Sequence, residues 1–307
     1  MTYRLARSAA RFLALLFIAS VIIFLLLRAV PGDPARIALG VVATEEAVAQ
    51  LSAALGTDRP LVIQYLDWVG GLLTGDFGVS MASATDITPQ VVQRAGVSLT
   101  LTILAMAVSL ALAVPLGIYL ARREGTPDAA AVGALTQLGI VTPSFLVGIL
   151  AVAVFSVHLG WLPANGWGSP AHLVLPVAAL SLVQAAILTR YVRSAVRAEM
   201  GRDYVRTARA KGASISNVLF TRAMKNAALP VVTVTGVQLS TLVVGAVVIE
   251  RVFTIPGLGT MLLGAVANRD LTTVQSVMML LVAFTLAVNL LVDLAYAVID
   301  PRVRRPA

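Results

Sequence analysis

Nine lysines and arginines and two acids, Glu199 and Asp203, crowd the stretch from Arg190 to Lys225, in a chain where only 12% of residues are charged. Within it runs Tyr204-Val205-Arg206-Thr207-Ala208-Arg209-Ala210-Lys211-Gly212. At about 100° per residue, Tyr204, Val205, Ala208 and Gly212 share one narrow arc, and Arg202, Arg206 and Arg209 share another. The pattern predicts a short amphipathic helix stopped by Gly212 in the left-handed conformation that follows a helix. The chemistry open to such a helix is recognition rather than bond-making. Its apolar stripe is too small for burial in lipid or for a core of its own, so it reads as a face waiting for a partner protein. A basic helix lying on anionic headgroups is the alternative.

Groups able to do covalent or metal chemistry are scarce. Without cysteine there is no thiol catalysis and no Cys-ligated metal. His158 and His172 flank one loop with no carboxylate cluster nearby, which predicts no metal site. No G-x-x-x-x-G-K-[ST] phosphate loop occurs, so the chain is not expected to hydrolyse ATP. Asp293 is the lone acid within the last apolar run and lies near its end, where snorkelling or a local ion pair accounts for it.

The elements that must position these residues are membrane spans. The 307 residues are 58% hydrophobic with a mean hydropathy of +0.89, the balance of a membrane protein. Charge is absent from 95–121, 129–189, 226–249 and 271–292, and about 20 apolar residues cross a bilayer. The 129–189 run holds two spans around the loop-like Gly160–Gly168, and Phe12–Leu27 supplies another, giving six. Expected boundaries are a retained first span over 1–30, an external cap over 31–96, and a core over 97–307. Core spans fall near 97–121, 131–157, 173–192, 228–249 and 272–298, with a cytoplasmic loop over 193–227. Pro115 and Pro143 should bend the second and third spans. Of the 23 Lys/Arg, 17 lie before the first span, after the last, after the second and in the 190–225 island, which places both termini in the cytoplasm.

Two further stretches stand out. Glu250-Arg251-Val252-Phe253-Thr254-Ile255-Pro256-Gly257-Leu258-Gly259 predicts a tight turn at Pro256, Gly257 and Gly259, with Gly257 free to take positive φ, inside a hairpin dipping into the outer interface. Along the fifth span Pro230 suits a helix start. There Thr233, Gly236 and Ser240 share a face fit for close packing, while Gln238, Thr241 and Gly245 share another. Gln238 and Thr241 are the candidates to line a passage. The competing reading bonds the Gln238 amide to a neighbouring helix.

The wording of the 204–212 segment resembles the cytoplasmic coupling loop of permease subunits of ABC importers, in the peptide/nickel branch. Thr207 and Ala208 stand at the motif's paired alanines and Gly212 at its glycine, while Arg206 replaces the general motif's glutamate. The resemblance extends through Ala29-Val30-Pro31-Gly32-Asp33-Pro34, Gly75-Asp76-Phe77-Gly78, the 250–259 stretch and Asp300-Pro301-Arg302, covering nearly the whole chain. It implies an all-α, six-span, type I importer permease, not an enzyme, in the cytoplasmic (inner) membrane. Tyr204, Val205, Arg206, Thr207, Ala208, Lys211 and Gly212 would couple to ATPases. Implied partners are a homologous second permease, two cytoplasmic ATPase subunits that hold the ATP and Mg, and an external substrate-binding protein; no cofactor and no nucleic acid are implied. Peptides, nickel complexes, glutathione and haem all fall within the family's range. A stand-alone secondary transporter or channel is the rival reading, weakened by the scarcity of charge at mid-membrane depth and the lack of a repeat. An intramembrane enzyme lacks its constellation.

Overall fold

A computed structural model describes residues 2–29, 34–39 and 43–299. The resemblances read at 30–33 and 300–302 lie outside the described residues. The helices are α1 (Thr2–Arg28), α2 (Pro34–Leu39), α3 (Glu45–Leu55), α4 (Leu61–Thr74), α5 (Thr88–Arg122), α6 (Pro127–Val141) and α7 (Ser144–Ala151). They continue as α8 (Ala171–Met200), α9 (Asp203–Ala210), α10 (Ile215–Val218), α11 (Met224–Val252), α12 (Leu258–Ala267) and α13 (Leu271–Ile299). Two π-helical stretches, Val152–His158 and Leu219–Ala223, extend α7 and join α10 to α11. Among the described residues extended pairing is limited to one bridge, Val79 to Asp86.

Five helical stretches are long and apolar enough to cross a membrane: Ala6–Arg28, Thr88–Arg122, Ala171–Met200, Ile215–Val252 and Leu271–Ala295. A sixth results if the pair Pro127–Val141 and Ser144–His158, bent by 101°, is counted as one span. Pro143 causes that break. Its ring disfavours helical geometry at the preceding residue, and Thr142 is extended at φ −80°, ψ 122°. The bend expected at Pro143 is therefore a sharp break between two helices, whereas Pro115 sits inside an unbroken α5. Pro230 lies inside α11 rather than at a helix start, because helix already runs into it from Ile215 through the π turn. Helical structure also takes in more of the 193–227 loop than the charge pattern implied, leaving 201–214 between consecutive spans.

The chain divides into two compact units. One comprises 1–5, 100–255 and 288–307; the other comprises 6–99 and 256–287. The cuts at 5/6, 99/100 and 287/288 fall inside helices, and the one at 255/256 falls between α11 and α12. In the first unit α8 is central, burying Leu175, Leu180, Leu188, Val192 and Val196. Close approach there rests on missing side chains: a Cβ on Gly117 would lie 2.6 Å from Val192, and one on Gly139 2.9 Å from Ala186. Val192 and Val196 join Leu219, Ala223 and Ala227 in one buried cluster, so the start of the 215–252 helix is keyed to the end of α8.

The second unit packs Ile87, Val91, Leu258 and Val277 together. Its polar centre is Asp270, which caps α13. The carboxylate accepts from Ser80 Oγ (2.5 Å), Met81 N (3.0 Å), Thr273 Oγ1 (2.7 Å) and Thr273 N (3.3 Å). Four donors let a 5%-exposed carboxylate stay inside with no ion partner among the described residues. The proposed cap and the 256–259 stretch thus belong to one compact unit.

Candidate coupling segment

Helix α8 carries Arg193 and Arg197 beyond its apolar stretch, where Glu124 Oε1 receives both, at 3.3 and 2.6 Å. The chain turns at Gly201, Arg202 is extended as the N-cap, and Asp203 opens α9 on the side where a helix favours negative charge. Helix α9 closes with Ala213 N donating to Ala208 O (3.1 Å) and Gly212 N to Arg209 O (2.9 Å). Gly212 has φ +85°, the left-handed value the sequence called for. Ser214 then caps α10, its Oγ accepting from Asn217 N at 3.3 Å.

The apolar arc points inward. Val205 and Ala208 are buried with Val218, and Met200, Tyr204 and Ala213 pack around them. This corrects the expectation that the arc waits for a partner: it is used within the chain, because α10 folds back and brings Val218 across the turn. The exposed side of α9 holds Arg202, Arg206, Thr207, Arg209 and Lys211. Arg206 reaches Asp203 at 3.5 Å with both side chains mostly in solvent, a contact that neutralises little. Arg209 and Lys211 form no ion pair among the described residues. The result is a cationic ridge on a fixed base.

The base is fixed by a polar triangle that spacing did not reveal. Tyr204 Oη donates to Glu199 Oε2 (2.8 Å), and Asn226 Nδ2 reaches Glu199 Oε2 (3.3 Å) and Tyr204 Oη (3.4 Å). Burial first, and the bond to Glu199 second, hold the Tyr204 phenol above its ordinary pKa. One acid thereby joins the ends of α8, α9 and α11. Glu199 was visible in sequence as one of two acids in the island; Asn226, 27 residues away, gave no signal.

The stretch at 254–259 is a helix start, not a tight proline–glycine turn. Gly257 is extended (φ −101°, ψ −177°), a conformation open to any residue, and serves as N-cap of α12. Gly259 is buried within α12, and Leu258 N donates to Ser98 Oγ at 2.8 Å. The left-handed residue is Thr254 (φ 51°), which closes α11 with Ile255 N on Glu250 O at 2.8 Å. The apolar run 258–267 folds as a ten-residue helix, which is why Gly257 is drawn into a cap.

In α11, Gly236 meets α13 so closely that a Cβ would lie 2.1 Å from Val292 Cγ2, so the small-residue face is a packing face at this position. Gln238 Nε2 donates to Gln184 Oε1 (3.1 Å), and Gln184 Nε2 donates to Gln238 O (3.1 Å). The Gln238 amide nitrogen thus bonds α8. Gln184 escaped the sequence reading because its partner lies 54 residues away. Thr241 Oγ1 donates to Gln238 O (3.0 Å) and stays exposed. Among the described residues no three His, Asp or Glu side chains gather as a metal site, and His172 Nδ1 bonds Ser169 Oγ (2.8 Å).

Residues 113–305 match the family described as binding-protein-dependent transport system inner membrane component, and residues 1–111 match its N-terminal component. The chain is 36% identical over 300 residues to the "Probable peptide ABC transporter permease protein y4tP" of Sinorhizobium fredii, covering 95% of this chain and 96% of that one. It is 38% identical over 290 residues to the glutathione transport system permease protein GsiC of Escherichia coli, covering 94% of each. Among solved structures, an inward-facing form of the MetNI methionine ABC transporter aligns with a TM-score of 0.61 at 18% identity, over 70% of this chain and 98% of that one. A crystal structure of an amino acid ABC transporter aligns at 0.53 and 16% identity, over 68% and 93%. Both structural likenesses speak to the fold.

Proposed function

The chain belongs to the family of binding-protein-dependent transport system inner membrane components, and from that premise we propose that it carries di- or oligopeptides as one of two homologous permeases in an ATP-driven importer. It is a multi-pass permease subunit, not an ATPase. In the proposed assembly two cytoplasmic ATPases hold the ATP and Mg, and an external binding protein delivers the peptide. Both termini face the cytoplasm of a cell whose inner membrane the chain spans. Near full-length similarity to permeases named for peptide and glutathione transport supports the substrate class.

The observation that carries the coupling role is the rigid cationic ridge of α9. ATPase subunits drawn together by ATP would push on Arg206, Thr207 and Lys211, with Gly212 setting the end of the lever. Tyr204, Val205 and Ala208 act beneath them, transmitting that push to Val218 and Glu199. From there the displacement enters α8 and α11 through the cluster of Val192, Val196, Leu219, Ala223 and Ala227. Close packing makes such a cluster move as a body rather than deform. Thr241, exposed beside the Gln184–Gln238 pair, is the residue proposed to line the passage, with Gln238 holding it in place. Pro256, exposed just before α12, is the residue of the proposed external turn that faces outward, with Gly257 and Gly259 buried behind it.

Proteoliposomes containing the chain, its second permease and two ATPases, supplied with the binding protein, should take up labelled di- or tripeptide only with internal ATP. Uptake by this chain alone, driven by an ion gradient, would establish the rival secondary transporter.

A further inference from the structure

Helix α9 spends its apolar residues inside the chain: Val205 and Ala208 are buried with Val218, and Tyr204 packs beside them. Arg202, Arg206, Thr207, Arg209 and Lys211 are turned outward, and no large apolar side chain of α9 is exposed with them. A basic helix that rests on a membrane needs a free apolar face to sink below the headgroups. Helix α9 has none left, so its charge would suit anionic lipid but its shape does not.

Within the chain the ridge finds little to balance it. Arg202 reaches Glu199 at 3.7 Å and Arg206 reaches Asp203 at 3.5 Å, each arginine standing mostly in solvent. Such contacts offset little charge, and Glu199 is also bonded to Tyr204 and Asn226. Arg209 and Lys211 form no ion pair among the described residues. The carbonyl end of a helix carries about half a negative charge, too little for both. Arg206 and Arg209 are one turn apart, a like-charge pair that costs stability in the free chain. The left-handed Gly212 and the Ser214 cap fix the ground beneath them, so the cations cannot be drawn apart by unwinding the turn.

We propose that the surface receiving α9 is acidic: a groove of the ATPase whose Asp or Glu carboxylates pair with Arg206, Arg209 and Lys211. The proposal rests on the ridge meeting an ATPase and adds the chemistry of what it meets. Each arginine offers a planar fork for two-point bonds to a carboxylate, which fixes orientation; the lysine adds a point charge. Without an apolar anchor the contact draws on charge, and salt weakens it.

Thr207→Cys, the sole cysteine of the chain, can carry a maleimide photocrosslinker while leaving all three cations in place. In the assembled transporter, capture of an ATPase subunit should fall about tenfold as salt rises from about 0.05 to about 0.5 M. Arg209→Gln and Lys211→Gln, added singly, should each lower capture at low salt about threefold and flatten its dependence on salt. The captured peptide should hold Asp or Glu beside the crosslink, and exchanging that acid for lysine should restore capture by a Lys211→Glu chain. The salt series uses the ridge with its charges intact, so it decides the matter even where a charge variant disturbs α9. Capture indifferent to salt and to both Gln variants overturns the acidic groove and leaves docking on the ATPase standing. No ATPase captured at any salt overturns both, and crosslinks to phosphatidylglycerol in its place would give the ridge to the membrane.

Discussion

The Tyr204 hydroxyl donates to Glu199 Oε2 across 2.8 Å, tying the first turn of α9 to the last turn of α8. A hydrogen bond to a half-hidden carboxylate contributes about 1–2 kcal/mol, enough to decide whether a short helix outside the membrane stays docked. Tyr204→Phe should therefore loosen 201–214, raising proteolytic cleavage there and lowering the ATP hydrolysis stimulated by substrate, while membrane insertion stays normal. The phenol's pKa is raised in the fold, so its contribution is complete below the ordinary tyrosine value of about 10 and fades as pH climbs through the raised one. The difference between wild type and Tyr204→Phe should accordingly hold steady between neutral pH and about pH 9. A difference that disappears well below that assigns the effect to another group.

Gly212 presents a separable case. No heavy atom lies within 4 Å of where its Cβ would stand, so a side chain meets no obstacle. Its cost is conformational: at φ +85° a β-branched residue is strained by about 1–2 kcal/mol. Gly212→Val should impair coupling and Gly212→Asn should be milder, since asparagine tolerates the left-handed region. Equal loss in both variants would point to a contact rather than to conformation.

At Gly236 the opposite holds, and space decides. A Cβ there would meet Val292 Cγ2 at 2.1 Å, and overpacking of this kind costs about 1–3 kcal/mol. Gly236→Ala should lower the melting temperature of the purified transporter, and Val292→Ala in the same chain should restore much of the loss. Gly245→Ala is the control, with nothing within 4 Å of its Cβ. Failure of the double variant to recover stability would remove this pair as the cause.

Thr241→Trp places a large ring at the exposed position beside Gln238. In the assembled transporter it should abolish uptake while assembly and basal ATP hydrolysis persist. Collapse of assembly would put Thr241 in a contact with another subunit, and unchanged uptake would remove it from the passage.

What the sequence made legible follows the physics of each signal. The 3.6-residue period drew the correct arc on α9, and Gly212 announced its left-handed cap. Period alone could not say what covers the arc, because Val218 and Met200 reach it only once the chain has turned back. Positive φ went to Thr254 rather than Gly257 because the close of α11 demanded it there; glycine permits that conformation but does not summon it. Charge-free length found the spans, yet helix boundaries at Thr88 and Ile215 depend on polar first turns that hydropathy reads as loop. Gln184, Asn226 and Ser80 each answer a polar group far along the chain, a relationship set by packing rather than by spacing.

In the proposed assembly the exposed cationic ridge of α9, not its apolar arc, meets the ATPases. The chain has no cysteine, so single cysteines at Arg206, Lys211 and Ala208 can each carry a maleimide photocrosslinker in the assembled transporter. Probes at 206 and 211 should capture an ATPase subunit on illumination, with yields that change on adding ATP. The probe at 208 should label slowly and capture little, its site being buried against Val218. Efficient capture from 208 with none from 206 or 211 would put the apolar arc, and not the ridge, against the ATPase.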